Sequence, residues 1–131
     1  MPYINIRIGK KLDSKQREQL YEHTTSLMNT VMRKRPQVTV VHIEETDPQQ
    51  WSVNAIPLTA QEPTCAYVDI KVTEQTNTPA EKAEMISKTM KMLQDVVGIM
   101  QEACYVVIHD ISADSWGYNG QTQASRAASK L

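Results

Sequence analysis

The chain of 131 residues contains no phenylalanine, and two tryptophans and five tyrosines are its only aromatic side chains. Aliphatic residues and methionine must therefore fill its core, and Met28, Met32, Met85, Met90, Met92 and Met100 read as adaptable packing in helices. Cysteine is as scarce. Cys65 and Cys104 stand in no CxxC or Cys/His spacing, which reads as two reduced structural thiols. The formal charge is −1 with both signs interspersed, so no broad electrostatic footprint for nucleic acid or an anionic membrane is present. No apolar run approaches the length of a membrane span, and the charged-then-apolar pattern of a secretory signal is missing from the N-terminus. These absences point to a cytoplasmic protein that folds as one compact domain or two small repeats, with neither nucleic acid nor membrane as partner.

Metal and thiol chemistry are also poorly supported. His42 and Glu44 share a strand face and His109-Asp110 ends another strand, but a coherent ligand spacing is absent and no metal is expected. Cys65 has no paired base in its neighbourhood and reads as an inert strand-end thiol.

What is present begins at the first residues. If Met1 is removed, Pro2 offers a free secondary amine, held in a narrow range of geometry by its ring. An α-amino group titrates near ~7.7–8.0, and burial or a neighbouring cation disfavours its charged form, so a modest shift makes it a base at neutral pH. Tyr3 to Ile8 alternates Ile4, Ile6 and Ile8 with Tyr3, Asn5 and Arg7, the pattern of a half-buried strand that would pin the amine. After a Gly9 to Leu12 loop, Asp13 or Ser14 can cap a helix, with Gln16 completing a variant capping box. Its apolar stripe is Leu20, Thr24, Leu27, Met28, Val31 and Met32. Arg33, Lys34 and Arg35 are expected to complement the helix dipole at its C-terminal end. Pro36 closes the helix, and Val38 to Ile43 reads as a second strand, parallel to the first.

Glu44 to Thr64 turns polar, with Pro48, Pro57 and Pro63, and reads as a connection. Then the opening pattern returns. Ala66 to Val72 matches Pro2 to Ile8 in character; Thr78, Pro79 and Glu81 form a second helix start; and Met85, Ile86, Met90, Leu93, Val96, Val97 and Met100 keep the helical period. Cys104 to Ile108 is a fourth strand. Trp51 and Trp116 fall at corresponding places beyond strands two and four. The expected fold is an α/β two-layer sandwich: a duplicated β-α-β unit forming one four-stranded mixed sheet with two helices on one face. One domain spans 1–131, with a first repeat over about 2–52, a linker over about 53–64, a second repeat over about 65–120 and a tail over 121–131.

A duplicated β-α-β opening with Met1-Pro2 and closing near Asp114-Ser115-Trp116-Gly117-Tyr118-Asn119-Gly120 resembles the tautomerase superfamily, specifically fused 4-oxalocrotonate tautomerase-like proteins. The resemblance implies a cofactor-independent isomerase and a homotrimer, with a keto or enol acid as its small-molecule substrate. It makes Pro2 the general base and Trp116 a pocket wall. Only the first half can hold a working proline, since Cys65-Ala66 stands where the second would begin. Arginines that family members use to clamp a carboxylate have no counterpart in the Thr73 to Asn77 loop or at Thr39 and Tyr105. Lys10, Lys11, Arg33, Arg35 and Lys71 are possible substitutes, and Tyr105, Tyr118, Asn77 and Gln75 are candidates to hydrogen bond to substrate. A weakly cationic pocket favours a monocarboxylate or aromatic keto acid over a dicarboxylate. Two other readings stay open: hydration or dehalogenation of an unsaturated acid by the same proline, and a non-catalytic interaction protein that keeps the fold.

Overall fold

The computed structural model describes residues 1–61 and 63–129. Its order is β1 (Tyr3–Ile8), α1 (Ser14–Thr30), β2 (Val40–Glu45), β3 (Ser52–Val53), β4 (Ile56–Pro57), β5 (Ala66–Thr73), α2 (Pro79–Val97), β6 (Tyr105–Ile111), β7 (Gly117–Tyr118), β8 (Gln121–Thr122) and α3 (Gln123–Ser129). β1, β2, β5 and β6 form a four-stranded sheet in the order β2-β1-β5-β6. Each helix crosses between parallel strands, β1 with β2 and β5 with β6, while β1 and β5 run antiparallel at the centre. The two halves thus meet about an approximate two-fold axis.

The alternation in β1 sends Ile4, Ile6 and Ile8 to the helix side, where each is fully buried beside Val68, Ile70 and Val72 of β5. Burying such side chains is worth ~1.5–3 kcal/mol apiece, which fixes the strand's register because a one-residue slip would expose them all. Leu20, Met28, Met85, Met92 and Leu93 close the core from the helices.

Both helix starts follow the expected capping boxes, Asp13 with Gln16 and Thr78 with Glu81. α1 ends because Arg33 turns into the left-handed region at φ 59°, which lets the Lys34 amide reach the Met28 carbonyl at 2.9 Å. The three cations therefore lie beyond the helix rather than in its last turn. Arg33 pairs with Glu81, Lys34 donates to the Thr76 hydroxyl at 2.7 Å, and Arg35 stays exposed.

Several boundaries differ from expectation. α2 ends at Val97, where Gly98 takes φ 118°, so Met100 lies outside the helix in a bridge with Thr64, and β6 runs on to Ile111. Residues Pro36–Val38 form a tight 3₁₀ turn, so β2 starts later and runs through Glu44 and Glu45. Those carboxylates are tolerated in the strand because Glu44 accepts from Asn5 and Glu45 accepts from the Leu12 amide and Arg17. Within the expected linker, β3 and β4 form a hairpin, and the expected tail contains β8 and α3. The hairpins correspond: Asn54 and Ala55 have φ of 53° and 63°, and Asn119 and Gly120 have 51° and 78°, the two positive values a tight hairpin turn needs. At Gly117 a Cβ would stand 1.8 Å from the Gln121 carbonyl oxygen, so only glycine fits.

Candidate active site at the start of the chain

Pro2 is buried at the head of β1, and its carbonyl accepts from the Val40 amide at 3.4 Å. β1 starts beside the beginning of β2 and the end of β5. Met1 forms one wall of a cavity of about 360 Å³. Arg35 and Val38 line it from the turn before β2, Tyr118 from β7, and Gln123 and Arg126 from α3.

The cavity is cationic. The Arg126 guanidinium stacks on Tyr118 and donates to the Tyr118 carbonyl. Among the described residues, no carboxylate lies within ion-pairing distance of Arg35 or Arg126. Lys34, next to Arg35, is itself nearly buried, and burial pulls its ammonium below the usual lysine range, with the Arg33 charge adding to the effect.

Of the residues singled out in the sequence, Arg35 and Tyr118 join Met1 in lining the cavity. Trp116, expected as a wall of the pocket, does not line it and faces a separate hollow of about 310 Å³ with Asp114 and Gln121; its indole N–H donates to the Thr73 hydroxyl at 3.1 Å and its carbonyl accepts from the Gln123 amide at 3.0 Å, tying α3 to the end of β5. Asn77 spends its side-chain amide on the Met32 carbonyl and Glu81, joining the end of α1 to the start of α2. Gln75 is a turn residue at φ 64°. Lys11 lies beyond the far end of β1, ~20 Å along a six-residue strand, in a separate hollow with Glu45 and Asp47. Tyr105 is 63% exposed on β6, paired with Tyr67 at that same far end. Arg126 and Gln123 went unnoticed because they belong to the segment read as a tail. Their spacing of three along an Ala- and Ser-rich stretch was the available signal.

A hollow of similar size, about 380 Å³, lies between the helices beside His23 and Lys88. Its lysines pair with Glu84 and Asp95 on their own helix. Among the described residues no group of three or more His, Cys, Asp or Glu could hold a metal ion, and no helix is long and apolar enough to cross a membrane.

The corresponding place in the second half is built differently. Cys65-Ala66 replaces Met1-Pro2, and the chain runs in through Thr64, which forms a bridge with Met100 through the Thr64 amide to Ile99 (3.0 Å) and the Gln101 amide to Thr64 (2.8 Å). The Ala66 nitrogen is a peptide nitrogen.

The tautomerase enzyme family profile matches the chain twice, over residues 2–60 and 67–125, in register with the two β-α-β halves. The probable tautomerase K2 of Dickeya dadantii (strain 3937) is 35% identical over 60 residues, a match spanning 45% of this chain and 90% of that protein. A native fused 4-OT has the same fold at TM-score 0.84 and 15% identity, over 95% of this chain and 98% of that one. A further fused 4-OT, described as a wild-type asymmetric trimer, gives 0.83 at 14% identity over 95% and 98%. A macrophage migration inhibitory factor homologue from Prochlorococcus marinus gives 0.73 at 20% over 92% and 97%. With two copies of the family unit covering nearly its whole length, the chain belongs to the tautomerase enzyme family.

Proposed function

We propose that the protein isomerises a 2-keto acid or related enol without a cofactor, using the Pro2 amine as general base after loss of Met1. The observation that carries this reading is the burial of Pro2 directly after Met1, which lines a cavity whose charged lining, among the described residues, is arginine alone. Burial and nearby cations both disfavour the protonated amine, leaving a base at neutral pH. Pro2 takes a proton from the carbon beside the carbonyl, negative charge develops on the carbonyl oxygen, and the same amine returns the proton to that oxygen. The arginines stabilise the oxygen while it is charged. Hydration or dehalogenation would need a carboxylate to activate water, and no acidic residue lines the cavity among the described residues.

The test is turnover of a panel of enols such as phenylpyruvate by the wild type and Pro2→Ala, with the intact mass of each. Loss of Met1 and a fall of about 10²-fold or more in kcat are expected. Full activity in the variant, or retained Met1 in an active enzyme, contradicts the mechanism.

A homotrimer is part of the same proposal. Among the described residues no layer covers the sheet face away from the helices, and Val40 and Tyr105 on its outer strands are 54% and 63% exposed. Light scattering at micromolar concentration is expected to give three chains, and a monomer overturns it.

A further inference from the structure

We infer that Cys65 and Cys104 are a reversible disulfide site, closed by exchange with a small disulfide such as oxidised glutathione. Both are free thiols far apart in the sequence, yet each sulfur donates to the carbonyl of the residue that precedes the other. Cys65 Sγ reaches the Ala103 oxygen at 3.5 Å, and Cys104 Sγ reaches the Thr64 oxygen at 3.8 Å. This reciprocal pattern aims both side chains into the gap between the two incoming segments, where the Cys104 thiol also donates toward the Cys65 sulfur. Strand alternation does not part them, because both stand before the first residues of β5 and β6. Tyr67 opposite Tyr105 puts Ala66 opposite Cys104, so the two cysteines are one step out of register on neighbouring chains. A strand spacing of ~4.8 Å and a rise of ~3.3 Å give a diagonal Cα separation of ~6 Å, inside the ~4.4–6.8 Å that disulfides span.

The backbone around the pair is already fixed. The Cys65 carbonyl accepts from the Gly9 amide at 3.0 Å, the Thr64 carbonyl accepts from the Gln101 amide at 2.8 Å, and the Gln101 side chain donates to the Pro63 carbonyl at 3.1 Å. Closure therefore asks for rotation of two thiols and not for movement of the chain. Access is one-sided. Cys65 is buried, whereas Cys104 is half-buried and lines a hollow of about 500 Å³ between α2 and β6, beside Met90, Gln94 and Glu102. Cys104 meets the oxidant first. Its thiolate attacks one sulfur of the small disulfide and expels a thiolate, leaving a mixed disulfide on Cys104; the Cys65 thiolate then attacks the Cys104 sulfur and expels the second. Two protein thiols are oxidised, one small disulfide is reduced to two thiols, and the two cysteine protons go to the expelled thiolates. Burial raises both protein thiols, which slows the first attack, but the second is intramolecular. A thiol of high pKa is also a poor leaving group, so the closed bond resists reopening.

The experiment is incubation of the folded protein with oxidised glutathione at about pH 8, followed by intact mass, non-reducing peptide maps and a thermal melt. Wild type is expected to lose about 2 Da, to yield a Cys65–Cys104 linked peptide from within one chain, to melt ~5 °C or more higher, and to revert with dithiothreitol. Cys65→Ser is expected to stop at a glutathione adduct on Cys104, since the first attack proceeds and the second has no nucleophile. Cys104→Ser is expected to take up glutathione at least tenfold more slowly, its remaining thiol being buried. A folded wild type that does not react, that accumulates a stable glutathione adduct or that links chain to chain overturns the site, as does a bond that forms only in denaturant or a closed form no more stable than the open one. Equal uptake by the two serine variants overturns the order of attack.

Discussion

Arg33 and Glu81 join the end of α1 to the start of α2 through a forked pair, Nε to Oε2 at 2.8 Å and Nη2 to Oε1 at 3.1 Å. With the Thr78 amide and Asn77 also donating, this holds the Glu81 carboxyl at about 2. In the unfolded chain the group titrates near ~4.3. A carboxyl depressed on folding stabilises fully above the unfolded value and loses that contribution as pH falls through the folded one. Thermal melts of wild type and Glu81→Gln, which can still form the capping box, should differ most above pH ~4.5 and converge toward pH 2. A gap of constant size down to that acidity would mean the pair contributes nothing through ionisation.

Tyr118 supports Arg126 from below, so truncating it should act on substrate affinity before turnover. Tyr118→Ala is expected to raise KM ~3–30-fold with kcat little changed, the span of a cation–π contact of ~0.5–2 kcal/mol, and Tyr118→Phe should stay near wild type. A large loss in Tyr118→Phe would show instead that the hydroxyl touches substrate.

The two hairpin turns make a matched pair of stability tests. Ala55 is exposed and held at φ 63°, so Ala55→Gly should raise stability by ~1 kcal/mol, whereas Gly120→Ala, at φ 78° with open space around it, should lower it by a similar amount. Denaturant titration reads both. Opposite signs are required, and destabilisation by Ala55→Gly would show that the first turn relies on its methyl group.

Burial pushes the Cys104 thiol up to about 11 and raises Cys65 as well. With so little thiolate at pH 7.5, iodoacetamide should modify Cys104 of the folded protein more than ~10²-fold slower than a free thiol and Cys65 more slowly than a free thiol, and denatured protein at the ordinary rate. Rapid labelling of either cysteine in the native state would reveal chemistry at the second-half position.

Periodicity and capping residues made most of the scaffold legible. The alternation of Ile4, Ile6 and Ile8, the pairs Asp13 with Gln16 and Thr78 with Glu81, and the methionine stripes are local patterns, and local patterns survive in one dimension. The cationic lining was not legible for the opposite reason. Arg35 sits in a run of three cations that serves three separate purposes, and a run of like charges does not announce which member faces inward. Arg126 acquires its surroundings only when the β7–β8 turn folds α3 back over Tyr118, a contact with no periodic trace. Val38 was read as strand because its β-branched character is the same whether it extends a sheet or closes a 3₁₀ turn after proline.

The Thr64–Met100 bridge places the asymmetry between the halves in chain connectivity. Any substitution at Ala66, proline included, leaves its nitrogen inside a peptide bond while Thr64 precedes it. Circular permutation would not: a chain reopened to begin at Ala66→Pro, with its former ends linked, frees an imino nitrogen there, leaves Thr64 near the new C-terminus and buries the original Pro2 nitrogen in an amide. The acidity of that new terminus, followed by NMR, would then report on a setting without the Tyr118, Arg126 and Arg35 that line the cavity beside Met1.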